Sequence, residues 1–233
     1  MLFENIGRIL SNPELMSYYW QGFLNSIMLM VFAAMIGLVL GFIVAIIKIA
    51  AENYKAMKIP AVICQIYTTI FRGTPVALQL FIMVFAVFAI PGFKPAAAII
   101  TFGINSGAYI SENIRAGIKS VDKGQMEAGR SMGLGYFQTM TKIILPQAVK
   151  NIIPAIGNEM IALLKETSII SMVGATVGTL TFDLNAASNT VYRTVTDYLA
   201  SGLIAAVFYL VVVYLMVLII KLIERRFAKS DRR

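Results

Sequence analysis

The feature that most constrains this chain is a stretch of thirty residues, 21–50, in which Lys48 is the only charged side chain. A helix that crosses a bilayer needs about 20 consecutive apolar residues, and this stretch exceeds that length. Of all 233 residues, 58% are hydrophobic and 14% are charged, whereas soluble domains average roughly 45–50% and about 25%. The sequence therefore predicts an all-α integral membrane protein.

Five apolar segments are long enough to be membrane-spanning helices. The second is interrupted by the sequence Arg-Gly-Thr-Pro at 72–75, and the third and fourth contain several polar side chains. We expect residues 21–226 to form a single transmembrane domain, with an external segment, 1–20, before it and a basic cytoplasmic tail, 227–233, after it. The predicted spans are residues 21–50, 59–90, 95–115, 151–175 and 199–222.

The distribution of basic residues predicts the orientation of these spans. With five spans the connections alternate sides, and only Arg8, Lys94 and Arg193 fall on the side that is poor in Lys and Arg. The positive-inside rule then places the N-terminus outside and the C-terminus in the cytoplasm. Connection 116–150 is cytoplasmic in this topology, and segment 176–198 is external. Topology explains the net charge of +8, and no motif supports nucleic acid as a partner.

The residue types that the chain lacks exclude several kinds of chemistry. It has no histidine, and Cys64 is its single cysteine. Histidine-dependent catalysis, an intramolecular disulfide and a cysteine metal cluster are therefore excluded. No phosphate-binding loop of the G-x-x-x-x-G-K-[ST] type occurs either. We expect no enzymatic activity, no metal and no cofactor in this chain.

The cytoplasmic connection 116–150 has the pattern of two short helices. A helical pattern opens at Gly124, is interrupted by Gly133–Gly135 and resumes over Tyr136–Ile144, where we expect Pro146 to end it. Two short helices at an angle suit docking into a groove of a partner protein. An amphipathic hairpin on the membrane surface is the alternative interpretation.

The same loop resembles the EAA loop of ABC-importer permeases. Glu127-Ala128-Gly129, then Gly133 and Ile143-x-Leu145-Pro146, match its order and spacing, with Gly129 in place of the last alanine. Residues 20–226 carry further motifs that are similar to those of the polar amino acid permease family, the histidine, glutamine and arginine type. These motifs are Phe71–Pro75, Glu112–Ile118, Gly124-Gln125, Leu145–Ala148 and Leu164–Ser168.

This resemblance implies a type I importer in the bacterial cytoplasmic membrane. Such an importer has two permease subunits, two ATP-binding cassette ATPase subunits, which bind ATP and Mg²⁺, and an external amino-acid-binding protein. We expect the second permease subunit to be a copy of this chain, because all the intramembrane ionisable residues are present in one chain. The residues that the resemblance assigns to ATPase coupling are Glu127, Ala128, Gly129, Gly133, Leu134 and Gly135.

The interruption of the second span predicts a discontinuous helix near the middle of the membrane. Gly73 tolerates unusual backbone angles, Pro75 suits the first position of a new half-helix, and Thr74 is expected to cap it. The N-terminus of a half-helix offers free backbone N–H groups to a carboxylate. An amino acid carboxylate is therefore expected beside Thr74 and Arg72.

Ionisable side chains inside a membrane are costly and mark functional sites. Glu159 in the fourth span is a candidate partner for a substrate ammonium or guanidinium, which favours arginine, lysine or histidine as substrate. An ion pair of Arg72 with Glu159 or Glu166 is the alternative, as is an internal pair or helix-end bonding for Lys165 and Glu166. The predicted substrate-binding residues are Arg72, Gly73, Thr74, Gln79, Asn105, Tyr109, Asn158 and Glu159.

Two further expectations concern helix packing and the class of function. The pairs Gly37/Gly41, Gly103/Gly107 and Gly174/Gly178 predict close helix packing, and interhelical hydrogen bonding is the alternative role for Asn105 and Tyr109. A stand-alone secondary transporter or channel for amino acids is the alternative function. It would need no ATPase, and an inverted repeat, which the sequence does not show, would favour it.

Overall fold

The structure, a computed structural model, describes residues 1–230, and every regular element within that range is helical. Short 3₁₀ or π turns flank four of the α-helices, and residues 231–233 of the predicted tail lie outside the description. The α-helices are α1 (Leu2–Leu10), α2 (Pro13–Ala50), α3 (Lys58–Gly73), α4 (Val76–Ile82), α5 (Lys94–Lys119), α6 (Lys123–Ser131), α7 (Tyr136–Thr139), α8 (Leu145–Glu166), α9 (Leu184–Val195) and α10 (Tyr198–Ser230).

Among the described residues, α2 and α10 are each long and apolar enough to cross a membrane. The segments Lys55–Gly73 and Val76–Val87 meet this test together, as one span bent by 106°. The more polar α5 and α8 have 26 and 22 residues, or about 39 and 33 Å at 1.5 Å per residue, against a hydrocarbon core of about 30 Å. The all-helical architecture is confirmed, and the number of five spans and the orientation stay predictions.

Helix α2 begins earlier than the apolar pattern indicates. Asn12 caps it by accepting hydrogen bonds from the backbone N–H groups of Glu14 and Leu15, and Pro13 occupies its first turn. The helix therefore starts inside the predicted external segment 1–20. Upstream, α1 is tied to the far end of the chain, because the Asn5 amide donates to the Asp197 carboxylate at 2.9 Å.

Helices α2 and α5 pack against each other and approach closely through glycines. A Cβ atom added to Gly41 would lie 2.6 Å from Ile110, and one added to Gly103 would lie 2.7 Å from Ile36. The packing role predicted for Gly37/Gly41 and Gly103/Gly107 is confirmed. The same prediction is wrong for Gly174/Gly178, which lie outside the helices with φ angles of +97° and +84°.

The predicted external segment 176–198 is packed into the fold rather than extended from it. Asn25 on α2 donates hydrogen bonds to the carbonyls of Thr179 and Phe182, at 2.9 and 2.8 Å. A Cβ atom added to Gly22 would lie 2.6 Å from the Asp183 carbonyl oxygen. Segment 176–198, which contains α9, is therefore held tightly against the first half of α2.

The loop 116–150 contains the two predicted helices, α6 and α7, but its end differs from the prediction. The chain continues from α7 through a π turn, Met140–Ile144, directly into α8. Pro146 does not end a helix there. It lies in the first turn of α8, where the missing N–H costs no hydrogen bond. The prediction was wrong because proline is unfavourable only in the interior of a helix and is well tolerated in the first turn of the next one.

Candidate functional site

The break in the second span lies where the sequence predicts it. α3 ends at Gly73, α4 begins at Val76, and the two meet at 106°. Two predicted details are wrong. Pro75 takes the N-cap position of α4 rather than its first helical position, and the Thr74 hydroxyl donates to the Ile70 carbonyl of α3 at 2.8 Å instead of capping α4. Gly73 is simply the last residue of α3, and its φ angle is not positive.

Two buried amides satisfy the backbone carbonyls that the break releases. The Gln79 amide nitrogen donates to the carbonyls of Phe71 and Thr74, at 2.9 and 3.1 Å, and to the Thr74 hydroxyl at 2.8 Å. The Asn105 amide nitrogen donates to the Phe71 carbonyl at 3.0 Å and to the Gln79 side-chain oxygen at 2.9 Å. This break network accounts for the donors of both amides, so the predicted alternative for Asn105, interhelical hydrogen bonding, is observed.

Arg72 and Tyr109 lie together beside the break. The Arg72 guanidinium is exposed and stacks over the Tyr109 ring, with its Cζ atom 5.2 Å from the ring centroid. Among the described side chains it forms no ion pair within 4 Å, so the predicted pair with Glu159 or Glu166 is not formed. The stacking orients the guanidinium while leaving its hydrogen-bond donors available.

On α8, the polar side chains lie on a half-exposed face, as the helical spacing predicts. Asn158 and Lys165 are exposed, and Glu159 and Glu166 are half-buried. Glu159 interacts electrostatically with Arg72 and makes a polar contact with the hydroxyl of Ser106 on α5. That hydroxyl is buried and forms no hydrogen bond within the described part of the chain. The face therefore places a carboxylate within the electrostatic reach of Arg72.

In residues 1–230, the Lys165 and Glu166 side chains form neither the predicted ion pair nor a hydrogen bond to the end of α8. Lys165 and Glu166 interact electrostatically, but no ion pair within 4 Å joins them in residues 1–230. The Ser168 hydroxyl donates to the Lys165 carbonyl at 2.7 Å, so a hydroxyl does bond the end of this helix.

A partly buried ion network that the sequence did not predict joins α2, α3 and α5. Glu112 accepts from Lys48 through one carboxylate oxygen and from Arg115 through the other, both at 2.6 Å. The Lys48 ammonium also donates to the Thr68 hydroxyl at 3.2 Å. We interpreted Lys48 and Arg115 only as topological charges. Glu112, the single acidic residue within 95–115 and three residues from Arg115, was the available signal.

The residues predicted to couple to an ATPase occupy α6 and the turn that follows it. Glu127 and Ala128 are exposed, whereas Gly129 is buried against α7. A Cβ atom added to Gly129 would lie 2.5 Å from the Thr139 methyl group, which gives a packing reason for glycine in place of alanine. Gly133 interrupts the helices with a φ angle of +86°, which glycine adopts without strain.

The turn between α6 and α7 exposes apolar side chains. Leu134 is half-buried, and Gly135 begins α7, where its N–H donates to the Gln138 side-chain oxygen at 3.2 Å. Met132 and Phe137 are 71% and 75% exposed. The sequence patterns had not identified either residue.

Tyr136 anchors this loop to the C-terminal end of α2. Its hydroxyl interacts with Asn53, and burial together with nearby Glu52 and Tyr54 raises its pKa. The tyrosine therefore stays neutral and available for hydrogen bonding. The loop is thus attached to a spanning helix as well as to α8.

Within residues 1–230, no group of three or more His, Cys, Asp or Glu side chains is placed to hold a metal ion.

Comparison with known proteins identifies the family. Residues 37–229 match the family described as "Binding-protein-dependent transport system inner membrane component". The chain belongs to this family. The resemblance that the loop and the motifs indicated is confirmed.

Relatives of known description lie within this family. The chain is 42% identical over 209 residues to a Rickettsia conorii protein named as a glutamine transport system permease, GlnP, covering 88% of this chain and 91% of the relative. It is 38% identical over 215 residues to the arginine transport system permease protein ArtQ of Bacillus subtilis, covering 91% and 93%.

Solved structures give the same assignment of the fold. An amino acid ABC transporter crystallised with histidines matches with a TM-score of 0.82 and 32% identity, over 94% of this chain and 98% of that one. The methionine transporter MetNI, in an inward-facing form, matches with a TM-score of 0.77 and 20% identity, over 92% and 98%. At this lower identity the likeness concerns the fold alone.

Proposed function

We propose that this family member is the membrane-spanning permease of an ATP-driven importer of polar amino acids, with a preference for basic ones. The family assignment supports a binding-protein-dependent system, and the relatives include proteins named for glutamine and for arginine transport. A stand-alone transporter or channel, the alternative, would have no use for the loop that resembles an ATPase-coupling element. Solvent-accessible charges in the membrane support a polar cargo.

The observation that carries the proposal is the pair of opposite charges, Arg72 and Glu159, at the helix break. Neither is in an ion pair in the described part of the chain, although the two interact electrostatically. An amino acid carries both complementary charges. Its carboxylate would bind the Arg72 guanidinium, and its ammonium or a side-chain guanidinium would bind Glu159. A basic amino acid carries a second cationic group in its side chain, which the Glu159 carboxylate can bind. For this reason we expect Glu159 to favour basic substrates.

The remaining predicted site residues would support this pair in different ways. Tyr109 orients Arg72, and the break network of Gln79 and Asn105 fixes the backbone at Thr74. Asn158 is exposed on the same face of α8 as Glu159 and can donate a hydrogen bond to substrate. Gly73 is open to solvent, so a substrate can approach the backbone there.

The mechanism that we propose needs partner subunits. A loaded binding protein docks on the external side, and closure of two ATPase subunits inside is transmitted through the segment Glu127–Gly135. The five spans, with the N-terminus outside, then rock between inward- and outward-facing states. A second copy of this chain completes the pathway, since the exposed polar face of α8 would be costly in contact with lipid.

Glu159→Gln in the assembled importer tests the substrate assignment. The variant keeps the size of the side chain and removes its charge, so arginine uptake should fall about tenfold, the loss of one charge-assisted hydrogen bond. Glutamine uptake should change much less. Glu14→Gln, at an exposed position in the first turn of α2, is the matched control. Equal losses for arginine and glutamine would refute the charge preference.

Co-purification tests the class of function. A tagged form of this chain should carry a nucleotide-binding subunit through purification in mild detergent. Amino acid uptake by vesicles that contain this chain alone, without any ATPase, would instead establish the stand-alone transporter.

A further inference from the structure

A second polar pocket lies beside the helix break, between α3 and α5. It has a volume of about 440 Å³, and its lining includes Gln65, Thr69, Arg72, Glu112 and Arg115. Arg72 borders both this pocket and the candidate substrate site. The other lining residues lie one to two helical turns away from the break. Apart from Gly73 at the break itself, those on α3 precede Arg72, and those on α5 follow Tyr109. In the predicted topology the pocket therefore extends from the break toward the cytoplasmic side.

The pocket has an excess of positive charge. Arg72 and Arg115 line it together with the carboxylate of Glu112, which also pairs with Lys48 outside the lining. Both oxygens of that carboxylate are already paired, one with Lys48 and the other with Arg115. Arg115 uses Nε and Nη2 on the same oxygen, which leaves Nη1 without a partner among the described residues. The unpaired donors of Arg72 and Arg115 would therefore attract an anion.

The pattern along α3 shows that this pocket faces water rather than lipid. Gln65, Thr69 and Arg72 follow each other at intervals of four and three residues, so they share one exposed face. The other exposed face of α3 is apolar and carries residues such as Ile63 and Ile70. An apolar face suits lipid or a second helix, whereas an arginine and two uncharged polar groups suit an aqueous pathway.

We propose that this pocket is a second carboxylate-binding site, which receives the α-carboxylate of the transported amino acid between the helix break and the cytoplasm. Arg72 binds the carboxylate first, and Arg115, through its free Nη1, binds it next. The Gln65 and Thr69 side chains provide the hydrogen bonds beside them. This inference rests on the proposed function, because it assumes that an amino acid reaches Arg72.

Equilibrium binding of L-arginine and of agmatine to the purified importer in nanodiscs, without nucleotide or binding protein, tests the proposal. Agmatine keeps the guanidinium of arginine and lacks its carboxylate. Wild type should bind arginine at two sites per permease and agmatine at one. Arg115→Gln should weaken the second arginine site by about tenfold or more, the loss of a charge-assisted hydrogen bond, and leave agmatine binding unchanged.

Three further variants separate binding from folding. Thr69→Val changes the pocket without touching the ion network and should also weaken the second site. Arg115→Lys keeps the positive charge but lacks the planar guanidinium with its several donors, so its arginine affinity at the second site should lie between those of Arg115→Gln and wild type. Lys119→Gln is the matched control. It lies four residues beyond Arg115 on α5 and pairs with the exposed Glu52 at 2.6 Å, outside the pocket.

The outcomes distinguish this proposal from the function on which it rests. A single arginine site that responds to Glu159→Gln and not to Arg115→Gln would overturn the second site and leave the proposed function intact. Two arginine sites that Arg115→Gln and Thr69→Val leave unchanged would also overturn it. A wild-type importer that binds no arginine would overturn both.

Discussion

Replacing Asn105 by leucine should destabilise the permease more than it weakens substrate binding. Asn105 is 2% exposed, and its amide nitrogen donates two hydrogen bonds, to the Phe71 carbonyl and to Gln79. Leucine has a similar volume and offers no donor. The variant therefore removes the link between α5 and the helix break without leaving a large cavity.

The size of the destabilisation follows from the hydrogen bonds that Phe71 and Gln79 lose in the variant. Hydrogen bonds between helices in a membrane average about 0.6 kcal/mol, so two contribute about 1 kcal/mol. The Phe71 carbonyl keeps its bond from the Gln79 amide. The Gln79 side-chain oxygen accepts from no other donor in the described part of the chain and becomes a buried unsatisfied acceptor, which costs about 1–3 kcal/mol. Together these losses should lower the free energy of unfolding by about 2–4 kcal/mol.

The assay is equilibrium unfolding of the purified permease in mixed micelles, with increasing denaturing detergent. Asn113→Leu is the matched control, since Asn113 lies on the same helix, is half-buried and forms no side-chain hydrogen bond within residues 1–230. Arginine binding is measured on the same samples. An Asn105→Leu protein as stable as the control, but with arginine affinity reduced tenfold, would show that Asn105 binds substrate and that the break network is not structural.

Three other predictions address the loop, the topology and the external segment. Gly133→Val should uncouple uptake from ATP hydrolysis or lose the ATPase on purification, because the φ angle of +86° strains any β-branched residue; normal uptake would refute the coupling role. A cysteine introduced by Arg130→Cys should react with impermeant maleimide only from the cytoplasmic side, and labelling from outside would reverse the topology. Burial raises the pKa of Asp183 to about 7 despite the N–H groups of Ala186 and Asn185. Because the unfolded chain releases this proton near pH 4, the stability that protonated Asp183 confers is complete below that pH and is lost as the pH rises through 7. Asp183→Asn should remove this part of the pH dependence of unfolding, and an unchanged pH profile would refute it.

The features that the sequence predicts best are those that local chemistry determines. Pro75 cannot continue a helix, so the break was predictable from four residues. Glycines four residues apart predicted the contact of α2 with α5, since small residues are what close approach requires. The pair Gly174/Gly178 has the same spacing but does not pack two helices together. The prediction assumed that both glycines lie on a helix, whereas α8 already ends at Glu166.

What the sequence could not predict depends on tertiary partners. Thr74 has the right chemistry to cap the following half-helix, but its hydroxyl binds the preceding helix and accepts from Gln79. Lys48 and Glu112 are separated by 64 residues, so only the packing of α2 on α5 reveals the pair. The exposure of Phe137 at the loop tip likewise depends on how α7 joins α8.

Hydropathy gives the weakest signal for the helices that hold the candidate site, and packing explains why. α2 and α10 pass the hydropathy test because they face lipid, and only 33% and 11% of the residues in their most apolar windows are buried. α5 does not pass the hydropathy test, and it lies against four other helices, α2, α3, α4 and α8. Its buried Asn105 bonds to protein groups, so it needs no apolar surface at that position. Hydropathy thus measures contact with lipid rather than depth in the membrane. A polar translocation pathway is expected on the helices that the bundle encloses, which are the ones that carry Tyr109 and Glu159.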